Sequence, residues 1–176
     1  MGRAKPAPVP MMCESQEKET RVGDYMRSTR ECAFGQLRPE LVQAIRDYLQ
    51  KHELGTIEAD ISICCETMSE KKKKGFLRTL LGDNSDAIHY TGMLVAPGWL
   101  IWATWGAKSG VVVMAARLED IQVTDFASQL INDTGLEVFG FLSGFAERVS
   151  AFIGLGPEPA AERFSATVKA AAQGRG

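Results

Sequence analysis

The sequence predicts a mainly β fold, a small barrel or sandwich of about seven short strands closed by a single C-terminal helix. Two observations carry that expectation. Short apolar or alternating runs, separated by turn residues, follow one another from residue 56 to residue 155. The pattern then changes once, at Gly156-Pro157-Glu158-Pro159, to a helical spacing that ends near Ala172. A chain of 176 residues with 45% apolar content suits one domain with a real core.

Residues 1–36 read as an N-terminal arm, either poorly ordered or carrying a short helix docked on the body. Pro6, Pro8 and Pro10 break regular structure, and residues 14–31 are mostly charged and polar around the isolated Val22, Tyr25 and Met26. Residues 37–55 read as an extra N-terminal helix. Pro39 is tolerated in its first turn, and Leu41, Ile45, Tyr48, Leu49 and His52 recur at helical steps as one stripe. Gly55 is placed as its cap. An amphipathic helix of this kind must bury its stripe on the sheet or on another chain.

The first strand is predicted over residues 56–68. Ile57, Ala59, Ile61, Ile63 and Cys65 alternate there with Glu58, Asp60, Ser62, Cys64 and Glu66, one dry face and one wet. A long loop over residues 70–86 leads to a second strand at 87–96, and Pro97-Gly98 turns it into a third at 99–105. Strands four and five are placed at 111–117 and 121–126, split by an acidic Leu118-Glu119-Asp120 corner. Residues 127–134 are a connection with Leu130 and Ile131 tucked inward. Strand six, at 135–141, alternates Leu136, Val138 and Gly140 with Glu137, Phe139 and Phe141, and strand seven covers 148–155. The last helix, 159–172, puts Phe164 and Val168 on one stripe, and 173–176 is a tail.

This order of elements resembles a bacterial pleckstrin-homology-like (PH-like) domain over residues 56–172. The supporting pieces are Trp99-Leu100-Ile101-Trp102 after the Pro-Gly turn, the corner from Ala116 to Ile121, and Phe152-Ile153-Gly154-Leu155-Gly156 running into the Pro-Glu-Pro helix start. The resemblance implies a seven-stranded barrel of two roughly orthogonal sheets, and a module that recognises lipid headgroups, peptides or its own copies rather than an enzyme. Phosphoinositide-binding members carry a basic pair on strand two. Ile88-His89-Tyr90-Thr91-Gly92 has none, so the resemblance does not extend to that specificity.

The net charge of −2 gives no global attraction to nucleic acid. Positive charge is instead concentrated in one loop, where Lys71, Lys72, Lys73, Lys74 and Arg78 occur without an acid and are joined by Phe76, Leu77, Leu80 and Leu81. These nine residues are the candidate membrane- or partner-binding site. Lysines near an anionic surface contribute roughly 1 kcal/mol each, and the apolar residues can insert below the headgroups. The bland alternative is a solvated hairpin whose lysines protect a sheet edge. Trp99 and Trp105 share one strand face and Trp102 takes the other, which suits sheet packing better than a base-stacking platform.

His52 and His89 form no ligand-spaced pair, and Cys13, Cys32, Cys64 and Cys65 fit neither a zinc knuckle nor an evenly spaced disulfide framework. Cys64 and Cys65, being adjacent, point to opposite faces. Free thiols, the absence of a long apolar span and the absence of a secretory signal suit a cytoplasmic protein. No catalytic residue, metal or cofactor is expected. The leading expectation is a non-catalytic module that binds a protein partner or self-associates. A peripheral adaptor on anionic membrane and a small-ligand barrel are the alternatives.

Overall fold

The structure, a computed structural model, describes residues 25–55, 57–72, 86–126 and 133–174. Its elements are β1 (Tyr25–Glu31), α1 (Pro39–Lys51), β2 (Ile63–Lys71), β3 (Ile88–Ala96), β4 (Trp99–Gly106), β5 (Gly110–Asp125), β6 (Gly135–Leu142), β7 (Arg148–Gly154) and α2 (Pro159–Gln173). The strands form one continuous antiparallel sheet in sequence order, curled into a half-barrel. The mainly β architecture closed by a C-terminal helix is therefore as predicted, whereas the two roughly orthogonal sheets that the resemblance implies are here one continuous curled sheet.

Three boundaries differ from the sequence reading. Tyr25–Glu31, assigned to the N-terminal arm, is the first strand and pairs along its whole length with β2. Its polar composition hid it, because it is an edge strand with four of its seven residues exposed. Residues 1–24 lie outside the described residues. The strand predicted from residue 56 starts only at Ile63, after a 3-10 turn at Glu58–Asp60. Strands four and five are one strand, β5, because Leu118-Glu119-Asp120 is absorbed as a register shift between Ala116 and Ile121 rather than as a corner. Gly140 faces that irregularity, and a Cβ there would collide with the Asp120 carbonyl oxygen.

The sheet separates two apolar layers. Its inner face carries Cys65, Met93, Val95, Leu100, Trp102, Leu118, Leu136, Val138 and Ile153, and α2 closes it with Phe164 and Val168. Both α2 residues are fully buried. The outer face carries Cys64, Leu94, Ile101, Ala103 and Ala115 under the α1 stripe of Leu41, Val42, Ile45 and Leu49. The stripe read from the sequence is thus the packed one, except that His52 stays exposed past the helix end, stacked on Tyr48 at 4.2 Å. Because helices cover both faces, Cys64 and Glu66 are buried instead of wet.

The curl is closed by polar contacts instead of a ladder. Beyond β7 the chain crosses β1, where Gly156 N–H donates to Thr29 Oγ1 at 2.8 Å and Thr29 N–H donates to Glu158 Oε2 at 2.8 Å. Thr29 Oγ1 also meets Thr67 Oγ1 at 2.7 Å. A Cβ at Gly156 would stand 2.9 Å from the Thr29 nitrogen, so only glycine permits this approach. Arg27 forms an ion pair with Asp133 at the same seam. These contacts occupy part of the β1 edge of the sheet.

Candidate functional site

Of the nine residues in the predicted basic loop, Lys71 and Lys72 are described; Lys73, Lys74, Phe76, Leu77, Arg78, Leu80 and Leu81 lie outside the described residues. Lys71 ends β2 opposite Tyr25, and its N–H donates to the Ala87 carbonyl at 2.7 Å. The loop therefore leaves the sheet at one end of β2. Around that end, Met26, Met68 and Ile88 are exposed on the outer face of β1, β2 and β3. The pairings Met26↔Glu70, Met68↔Tyr90 and Ile88↔Glu70 make them diagonal neighbours.

The tryptophans divide as the alternation requires. Trp102 is buried in the inner layer, while Trp99 and Trp105 pack at the margin of the outer one. The Arg38 guanidinium sits 4.4 Å from the Trp105 ring centroid and 4.2 Å from that of Tyr90. Stacked under Arg38, Tyr90 and Trp105 anchor the start of α1. His89 packs edge-on to Tyr25 at 5.0 Å, and burial, with the nearby Arg27 charge, holds it below the usual imidazole range. Among the described residues no three His, Cys, Asp or Glu side chains converge as a metal site, and no helix is long and apolar enough to cross a membrane.

A second surface was not singled out from the sequence. Among the described residues no helix covers the outer face of β6 and β7, because α1 makes its main sheet contacts with β3, β4 and β5. Phe139, Phe141 and Phe152 stand on it 40%, 48% and 39% exposed, with Phe145 at 52% in the turn between the strands. Phe139 and Phe141 follow at a two-residue step, and Phe152, opposite Glu137, is the diagonal neighbour of Phe139. The rest of the face is polar. Arg148 lies opposite Phe141 with its guanidinium 5.3 Å from the ring centroid, and Ser150 Oγ donates to Glu137 Oε1 at 2.6 Å. Clustered exposed aromatics among polar residues mark interaction surfaces on otherwise well-packed proteins. The signal was legible, since alternation places Phe139 and Phe141 on the Glu137 side of strand six.

A third feature is an open cleft of about 700 Å³ between the end of β1, the approach to β2 and α2. Cys32, Phe34, Glu58, Cys64 and Arg163 are among its lining residues. Cys32 is half-buried and Cys64 buried, and both are free thiols. A hydrogen bond from the Cys64 thiol holds Cys32 below the ordinary thiol value against the effect of burial, with help from the Arg30 charge. The same interaction, with burial, pushes Cys64 up. Cys65, on the opposite sheet face, is pushed up to about 12 by burial. Comparison with known families, with curated proteins and with solved structures finds no match.

Proposed function

We propose that the protein is a non-catalytic, PH-like interaction module that binds a protein partner or a second copy of itself through the outer face of β6 and β7. The observation that carries this reading is the group of exposed phenyl rings, Phe139, Phe141 and Phe152 with Phe145 beside them. Burying such rings is worth roughly 25 cal/mol per Å² of apolar surface, and aromatic anchors dominate many interfaces. Ion-pairing and hydrogen-bonding groups, Arg148 and Glu137, stand among the rings and supply direction. The half-barrel interior supports binding on the outside, because Trp102 and Phe164 are buried in its apolar core.

Light scattering over a wide concentration range tests self-association. The expected result is a mass that rises with concentration in the natural chain and stays monomeric in a Phe139→Ser/Phe141→Ser variant. A natural chain that remains monomeric while the same two substitutions abolish capture of a cross-linked protein partner supports the hetero-partner form. A natural chain that neither associates nor captures a partner through this face overturns the reading.

The alternative is a peripheral adaptor on anionic membrane. What favours it is the position of Lys71 and Lys72 at the same sheet end as the exposed Met26, Met68 and Ile88. Positive charge and insertable apolar side chains at one sheet end suit weak, salt-sensitive attachment. Co-sedimentation with phosphatidylserine vesicles at low salt tests it. Equal retention of the natural chain and a variant with Lys71–Lys74 changed to Ala removes this alternative.

A further inference from the structure

The end of β1 holds a pair of thiols with a geometry the interaction reading does not use. The β1–β2 register ends at Glu31↔Cys65, so the next residues, Cys32 and Cys64, stand directly opposite each other. The Cys32 N–H donates to the Cys64 carbonyl at 3.1 Å, which extends the antiparallel pairing to this position. Opposed residues share a face, and in a hydrogen-bonded position such as this one the Cα atoms stand about 5.5 Å apart with the Cβ atoms toward the upper end of about 4.5–5.5 Å. A disulfide needs Cα atoms roughly 4.4–6.8 Å apart and Cβ atoms near 3.8 Å, so the Cα spacing already fits and closure requires the Cβ atoms to approach by about 1.5 Å at the strand ends. Both residues line the open cleft of about 700 Å³, as do Ser62 and Arg163. A small oxidant therefore has a path to them.

We propose that Cys32 and Cys64 are a redox-modification site, at which a hydroperoxide converts the two thiols into a reversible cross-strand disulfide. Cys32, the more accessible partner, attacks first. Its thiolate sulfur takes the terminal oxygen of the hydroperoxide, the O–O bond breaks, and the leaving alkoxide or hydroxide takes up a proton. Cys32 becomes a sulfenic acid. Cys64 sulfur then attacks the Cys32 sulfur, its proton leaves with the sulfenic oxygen as water, and the S–S bond forms. Two thiols have supplied two electrons, and one hydroperoxide has been reduced to an alcohol, or to water when it is hydrogen peroxide.

The environment matches these roles. The Cys64 hydrogen bond and the Arg30 charge favour the Cys32 thiolate, while Glu31 and Glu66 and burial oppose it. Cys64 is 4% exposed and is reached through Cys32. Cys65 belongs to the inner layer and faces away from both. The bond joins the end of β1 to the start of β2 and locks the two ends of the chain segment that carries α1.

Hydrogen peroxide in slight excess over the full chain is the test, read by thiol counting and by peptide mapping without reductant. The expected result is a link between tryptic peptides 31–46 and 52–71, assigned to Cys64 by fragmentation and reversed by dithiothreitol. The link persists in Cys65→Ala and is lost in Cys64→Ser, where dimedone traps a sulfenic acid on Cys32. Circular dichroism of the variants confirms that they are folded, and the map of the natural chain stands without them. A link that runs to Cys13 or Cys65 overturns the proposal, as does conversion of Cys32 to a sulfinic acid while Cys64 stays reduced. Retention of both thiols at excess peroxide overturns it equally.

Discussion

Glu66 is 6% exposed, yet it is a charged residue between two layers of a small fold. Its carboxylate accepts from Arg30 Nη2 at 2.7 Å and from the Arg38 backbone N–H at 2.7 Å. It therefore joins β1 and β2 to the first turn of α1, where a helix leaves backbone donors unsatisfied. Removing the acceptor leaves the Arg38 N–H at the helix start without its partner, while the Arg30 guanidinium, 53% exposed, keeps its bond to the Gln36 carbonyl. We expect Glu66→Ala to lower stability by roughly 2–3 kcal/mol and Glu66→Gln by less, measured by urea unfolding. His89 supplies a pH dependence. Its folded-state pKa lies below the unfolded value of about 6.5, so the unfolded chain binds the proton more readily. The contribution is complete above the unfolded value and is lost as pH falls toward the folded one. A titration of the His89 ring by NMR checks the sign: a midpoint below that of a model peptide is expected, and His89→Gln removes this part of the acid slope.

At the scale of elements, α1 and α2 hold opposite faces of one sheet and each depends on a few side chains. Ile45 on α1 and Phe164 on α2 are fully buried. Truncating either to alanine leaves a cavity that the surrounding strands fill only in part. Ile45→Ala is expected to cost about 2–5 kcal/mol and Phe164→Ala about 3–5 kcal/mol, read from thermal or urea unfolding. The element that sequence reasoning missed, β1, makes a sharper case. Thr29 and Arg27 tie β1 to Gly156, Glu158 and Asp133 across the open side of the curl. A truncation that ends after Glu31 removes those partners and uncovers the β2 edge. We expect such a chain to aggregate or to melt well below the natural protein, whereas a truncation ending before Tyr25 leaves every described β1 contact in place. Differential scanning fluorimetry of the two truncations separates them.

Taken whole, the molecule covers the outer face of its sheet unevenly. α1 shields mainly β3, β4 and β5, and the phenyl rings on β6 and β7 stay about half exposed. A folded chain gains little by leaving several aromatic rings wet unless another surface covers them. Substituting these half-exposed rings is expected to change stability by no more than about 1 kcal/mol while abolishing association. Urea unfolding of Phe139→Ser/Phe141→Ser beside its light scattering distinguishes a binding face from a structural one. If the double substitution instead destabilises the fold strongly, the rings serve packing.

Periodicity in the chain was enough to establish a run of strands closed by one helix, the α1 stripe, the face of each tryptophan, and the Cys64/Cys65 split. All of these follow from local geometry, because a strand repeats every second residue and a helix every 3.6. What periodicity could not reach was any property set by a distant neighbour. Tyr25–Glu31 became a strand because β2 pairs with it, not because of its own composition. Glu66 and Cys64 became buried because α1 folds back over a face their alternation had assigned to water. Cys32 met Cys64 only through the β1–β2 register, and the phenyl rings stayed exposed only because α1 stops short of them. Local spacing sets which side of an element a residue takes; packing of remote elements decides whether that side meets protein, solvent or another chain.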